Sequence, residues 1–150
     1  MLVVAIIALL LGIVGPTLGG RISGTRLESC ARQMARFVDL VRSEAVVQGR
    51  FFYLVYGVEK GRYWYERPEP GEDPDAPRLR IEKILPAEVK IREVILGESE
   101  SVYLSDASIE VNPLGTMGTH RVVLESGGRA LVVRVPPFGG RTVVEAWSEP

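Results

Sequence analysis

The first twenty residues of this 150-residue chain contain no Asp, Glu, Lys, Arg or His, and every charged side chain lies from Arg21 onward. Residues 1–14 read MLVVAIIALLLGIV and are followed by Gly15, Pro16, Thr17 and Leu18. As a helix, about 18 such residues span ~27 Å, close to the ~30 Å hydrocarbon core of a bilayer. A helix that is apolar on every side needs a larger protein than this one to surround it, which argues against a buried core helix. A cleaved signal peptide is the competing reading, with Thr17-Leu18-Gly19 as a weak cleavage site. Against it, the run carries no basic n-region and is long for an h-region. The sequence therefore predicts a single membrane-level helix. Leu2, Val3, Val4, Ile6, Ile7, Leu9, Leu10, Leu11, Ile13 and Val14 are its apolar surface, and Pro16 is expected to kink it.

The helix is predicted to continue. No proline interrupts residues 21–48, and Leu27, Cys30, Ala31, Met34, Val38, Val41 and Ala45 fall at offsets 0, 3, 4, 7, 11, 14 and 18. That spacing is an apolar stripe at helical period, suited to packing on the rest of the chain. Arg26, Glu28, Arg32, Gln33, Arg36, Asp39, Arg42 and Glu44 are assigned to the solvent face, and Gly49 to the C′ position that ends the helix. One helix thus crosses from one solvent into another.

Beyond Gly49 the period shortens to 2. Residues 51–56 and 62–66 read as a hairpin around residues 57–61, and residues 67–77 as a proline-rich acidic loop. Further short strands are expected around Leu79, Ile81 and Ile84, around Val89, Ile91, Val94 and Ile95, and at residues 109–111, 121–124, 130–135 and 142–146. Residues 97–107 read as a polar loop. Short strands at turn spacings of about 8–12 residues predict an antiparallel meander. The fold class is α+β. Residues 1–20 form the apolar half of the helix, 21–49 the amphipathic half and 50–150 a β-rich head, with 21–150 folding as one domain.

Catalytic and cofactor chemistry finds little to build on. A formal net charge of −1 gives no general attraction for nucleic acid or anionic lipid. Cys30 is the only cysteine, which excludes an intrachain disulfide and a cysteine-built metal site. Its place on the stripe predicts a buried, inert thiol. His120, the only histidine, stands beside a turn with no second ligand near it and reads as a surface residue. No Ser–His–Asp set forms around it. Glu69, Glu72, Asp73 and Asp75 supply oxygens of the kind calcium takes, but their spacing is not that of an EF-hand. Pro68, Pro70, Pro74 and Pro77 suit a solvated loop instead. Arg129, Arg134 and Arg141 are candidate contacts to a phosphate backbone, though so small a basic cluster reads more simply as a solvated edge. No enzyme activity, metal, cofactor or small-molecule substrate is predicted.

Three stretches resemble the type IV pilin-like proteins, and within them the minor pseudopilins of the GspH/FimT group. Residues 1–16 resemble the hydrophobic half of the pilin helix with its membrane-level proline. Residues 35–49, ARFVDLVRSEAVVQG, resemble that group's L-x-x-A-R-x-E-A-x-x-x-G helix end. Ile109-Glu110-Val111-Asn112-Pro113-Leu114-Gly115 with Gly139-Gly140-Arg141-Thr142-Val143 resemble its F-x-P-x-G and G-R-V strands. The resemblance implies a structural subunit of a type II secretion pseudopilus or a related filament, held in the bacterial inner membrane by a single pass. Its head would lie in the periplasm, and its partners would be other pilins or pseudopilins and the inner-membrane assembly platform. A FimT-like minor pilin that binds DNA is the alternative, with Arg129, Arg134 and Arg141 as contacts. One departure concerns processing. The family's Gly, Phe-type residue and Glu at the cleavage and N-methylation site have no counterpart here, and Met1-Leu2-Val3-Val4 resemble the residues just after that Glu. Either the start is internal to the gene, with the reading frame upstream of Met1 expected to encode a short basic leader, a Gly, a Phe-like residue and a Glu, or the chain is a trimmed version. Sequencing of that DNA checks the first of these, and an in-frame stop immediately upstream would refute it.

Overall fold

The computed structural model describes residues 2–68, 71 and 79–148, with side chains from Gly24 onward. Helix α1 spans Leu2–Gln48 without interruption, its assignment continuing through Pro16. It ends as a Schellman turn, in which the Gly49 amide donates to Val46 O at 3.2 Å and the Arg50 amide to Ala45 O at 3.2 Å. Gly49 sits at φ 60°, a left-handed conformation that costs a residue without a Cβ little. The side chains of Leu2, Val3, Val4, Ile6, Ile7, Leu9, Leu10, Leu11, Ile13, Val14 and Pro16 lie outside the described residues, as does the acidic run Glu69, Glu72, Asp73 and Asp75. Among the described residues no helix is long and apolar enough to cross a membrane.

Among the described residues nine strands follow: β1 Phe52–Gly57, β2 Arg62–Arg67, β3 Leu79–Ile84, β4 Lys90–Leu96, β5 Glu100–Val102, β6 Asp106–Val111, β7 His120–Ser126, β8 Arg129–Val135 and β9 Val143–Ala146. They form two antiparallel sheets, ordered β3-β2-β1-β6 and β5-β4-β7-β8-β9. The simple meander is thus corrected, because β1 pairs with β6 and β4 with β7 across long stretches of chain. The expected polar loop at residues 97–107 is corrected as well. It holds β5 and the start of β6, with Val94 opposite Val102 and Leu96 opposite Glu100. A three-residue strand is too short to show alternation, so its pairing with β4 is what forms it.

The two sheets share one core with the helix. Phe52, Leu54, Tyr56, Tyr63, Tyr65, Ile109 and Val111 come from the first sheet, and Ile91, Val94, Val122, Leu124, Val133 and Val135 from the second. Both sets meet Leu27, Cys30, Ala31, Met34, Val38, Val41 and Ala45 of α1, all of them buried. Strand β6 shows the alternation that builds this, with Ala107, Ile109 and Val111 buried and Asp106, Ser108 and Glu110 exposed. Because sheets lie on both flanks, the helix buries more than its stripe. Phe37 lies 5.0 Å from the Tyr63 ring, edge-on, and 5.7 Å from Tyr65. Ala35 is buried on the other flank. A smaller cluster of Ile95, Val123 and Val132 covers the outer face of the second sheet beneath Trp147.

Candidate functional site

The helix end and the two C-terminal turns, which carry most of the family resemblance, converge on one residue. Arg42, assigned to the solvent face by periodicity, is buried. Its position on the helix lies beside Val38, Val41 and Ala45, and the loops after β6 and β8 close over it. The guanidinium donates to Gly140 O at 2.5 Å and to Pro136 O at 2.7 Å. Those two carbonyls bracket the β8–β9 turn, so a single helical side chain sets its path. The solvent-face assignment fails because periodicity sees only the helix, whereas the covering loops come from residues about 70 to 100 positions away.

The β6–β7 turn packs against the same point. Asn112 Oδ1 accepts from the amides of Leu114 at 2.9 Å and Thr116 at 3.0 Å, and the Asn112 amide side chain donates to Thr116 Oγ1. Gly115 stands at φ 77°, and a Cβ there would approach Val46 Cγ2 to 2.9 Å and Arg42 Cγ to 3.2 Å. Only glycine fits both the conformation and the space. The Met117 amide then donates to Pro137 O at 3.3 Å, joining the two turns to each other. Nearly one helical turn before the arginine, Asp39 Oδ1 accepts from the Thr142 amide at 3.3 Å and from Thr142 Oγ1 at 2.6 Å. Residues of the helix end, the Asn-Pro-Leu-Gly turn and the Gly-Arg-Thr segment are therefore one junction.

His120 completes its floor. It is fully buried, not a surface residue, because β7 runs through the second sheet at this point with its ring turned inward. Nδ1 donates to Gly118 O at 2.7 Å, which leaves Nε2 to accept from the Tyr56 hydroxyl at 3.0 Å. Burial, aided by the nearby Arg42 charge and opposed by the Gly118 carbonyl, pushes the imidazole down to about 4. Burial also raises the Tyr56 hydroxyl strongly. Both groups are neutral near pH 7 and form a buried hydrogen-bonded pair. Between pH ~6.5 and ~4 the unfolded chain takes up the proton and the folded chain does not, so stability falls as pH falls through that window. The full effect is about 3 kcal/mol. Urea titrations of the wild type and His120→Gln over that range are expected to show a shallower pH slope for the variant. Equal slopes would mean that His120 does not resist protonation.

Of the three candidate phosphate contacts, Arg129 and Arg134 stand toward the two ends of one strand. Arg129 opens β8 with its guanidinium over Gly24 of α1. Arg134 lies five residues along the same strand, about 17 Å away at ~3.3 Å per residue, and pairs with Glu145 at 2.8 Å. Arg141 lines a groove beside Asp39. Cys30 is buried in the core, and burial raises its thiol above the ordinary value, favouring the unreactive form. Among the described residues no group of His, Cys, Asp and Glu is placed to hold a metal ion.

No family model matches the chain, and no curated protein matches it. Solved structures do. A structure of the minor pseudopilin EpsH from the type 2 secretion system of Vibrio cholerae aligns at TM-score 0.61 and 12% identity, covering 83% of this chain and 99% of that one. A second, a crystal structure of the same minor pseudopilin, aligns at TM-score 0.59 and 10% identity over 81% of this chain and 97% of that one. At such identities the likeness is one of fold. One N-terminal helix packed on antiparallel sheets is the GspH-like pilin fold, and this chain has it.

Proposed function

We propose that the chain is a minor pseudopilin, a non-enzymatic structural subunit of a type II secretion pseudopilus or a related pilus-like filament. The observation that carries this reading is the alignment with EpsH over 83% of this chain and 99% of that one. The uncharged start of α1 supports it from the sequence side, since a helix that runs unbroken from an apolar half into the core of a head suits a subunit that changes surroundings. The subunit waits in the inner membrane by its apolar half, with the head in the periplasm, after a prepilin-type leader has been removed and the new N-terminus methylated. On assembly that half leaves lipid for a filament core of neighbouring helices. Both surroundings are apolar, so helix packing offsets much of the cost of leaving the bilayer. Its partners are other pseudopilins and the inner-membrane assembly platform.

The test is made in the host, with the full chain tagged at its C-terminus. It is expected in the inner-membrane fraction and in filaments sheared from the cell surface, and deletion of its gene is expected to block secretion. Loss of DNA uptake with secretion intact would replace this reading with the DNA-binding pilin. Loss of neither would refute both.

A further inference from the structure

The outer faces of the two sheets each carry a tryptophan and a glutamate, but only the first sheet supplies the cation between them. There Trp64 and Glu82 stand opposite each other in the β2–β3 pair. The Arg80 guanidinium lies over the Trp64 ring, 3.7 Å from its centroid, and pairs with Glu82 at 3.3 Å. A ring face and a carboxylate together hold the arginine. On the second sheet the tryptophan is Trp147 and the carboxylate is that of Glu93. Glu93 stands opposite Val123, so its side chain shares the outer face with the Ile95, Val123 and Val132 cluster that packs against Trp147. Glu93 and Trp147 line one open groove of about 540 Å³, with buried Ile95 in its floor and the partly exposed Ser101 and Arg121 at its rim.

Two polar groups in this groove lack partners. Glu93 is only 6% exposed, and among the described residues no ion pair or side-chain hydrogen bond holds its carboxylate. The Trp147 indole N–H is buried with no acceptor. Neither nearby arginine is free to help. Arg121 donates to Glu98 O at 3.1 Å, and Arg92 is itself engaged. Among the described residues no cation lies over the Trp147 ring.

A carboxylate so far removed from water is costly unless a cation or donor meets it. A guanidinium fits the place, because it lies flat on an indole and presents paired donors to a carboxylate, as Arg80 does on the first sheet. The unsatisfied indole N–H adds a second requirement, an acceptor beside the cation. A free guanidinium has none, whereas an arginine within a polypeptide brings backbone carbonyls with it. An apolar floor, a tryptophan and an unpaired charge inside a polar rim have the composition of a protein-contact hot spot. Most of the chain's own arginines are already spent, with Arg26, Arg32, Arg62, Arg80 and Arg134 in ion pairs and Arg42 inside the head, which favours another protein as the source.

We propose that this groove docks an arginine side chain of a different protein. Its guanidinium sits on the Glu93 carboxylate against the Trp147 ring, and a neighbouring carbonyl accepts from Trp147 Nε1 as the ring tilts outward. The inference stands on these residues and not on the filament reading.

The test uses the full chain in detergent micelles, isotope-labelled for NMR, with the Trp147 indole signal assigned by its loss in Trp147→Phe. The probe is the capped peptide acetyl-Gly-Gly-Arg-Gly-Gly-amide, and a saturable shift of that signal is expected. Glu93→Gln is expected to weaken binding about tenfold, the size of a 1.4 kcal/mol change. Its urea midpoint is expected to equal or exceed that of the wild type, because no partner of the carboxylate is lost. The peptide with citrulline in place of arginine, and methylguanidinium alone, are expected to bind at least about tenfold more weakly than the arginine peptide. The proposal is overturned by no shift, by a shift that Glu93→Gln leaves unchanged, or by a citrulline peptide or methylguanidinium that matches the arginine peptide. A lowered midpoint in Glu93→Gln overturns it too, by making the carboxylate structural. So does a peptide-free dimer that Glu93→Gln breaks, which would seat a second copy in the groove.

Discussion

Val38→Asp is expected to unfold the head, whereas Arg36→Asp, two positions away, leaves it intact. Val38 is fully buried at the centre of the shared core, between Met34 and Val41. An aspartate there replaces an apolar side chain of the shared core, and the one cation a helical turn away, Arg42, is already committed to Gly140 O and Pro136 O. Burying that carboxylate costs several kcal/mol or forces its protonation, comparable to the whole ~5–15 kcal/mol stability of a small domain. Arg36 is exposed and unpaired among the described residues, so its substitution should shift stability by no more than about 0.5 kcal/mol. Urea unfolding followed by fluorescence distinguishes them, since Trp64 is buried on the first sheet and reports its loss. Equal destabilisation would mean that the helix is not the spine of the head.

Arg42→Ala is expected to be the most disruptive change among the polar residues. It removes two charge-assisted hydrogen bonds, to Gly140 O and Pro136 O, and leaves both carbonyls without those donors. Such bonds are worth about 1.5–3 kcal/mol each, but water entering the vacated space recovers part of that. A net loss of about 2–4 kcal/mol is expected. The damage should be local first, appearing as faster amide exchange over residues 136–142. A second readout separates the junction from a general loss of packing. The Arg42 charge is one cause of the lowered His120 titration, so in the folded variant the imidazole, followed by NMR, should titrate at higher pH than in the wild type. A loss under about 0.5 kcal/mol with unchanged exchange would show that the turns hold their shape without the arginine.

The helix was legible because its determinants are local. Leu27 to Ala45 repeat at the helical period, no proline interrupts them, and Gly49 supplies the one residue type that tolerates the terminating conformation. The β1–β2 hairpin was legible for the same reason, an alternating aromatic run on each side of a short turn that sets Tyr56 opposite Tyr63. Strand β5 was not, since Glu100-Ser101-Val102 has no pattern of its own and takes its conformation from the main chain of β4.

The candidate site divides in the same way. The helix end, the Asn112–Gly115 turn and the Gly139–Val143 segment each stood out along the sequence, but their meeting at Arg42 did not. Periodicity placed Arg42 in solvent because its apolar neighbours lie to one side of it, and His120 on the surface because a turn precedes it. Local sequence by itself determined where the chain is helical, where it turns and which helix face is apolar, since those depend on backbone preferences and side-chain spacing within a few residues. The tertiary structure alone decided the division into two sheets, the burial of Arg42 and His120 and the grouping of the turns. Each of these depends on which distant segment arrives to cover a given atom, and a buried polar group is tolerated only where that segment brings its hydrogen-bond partner.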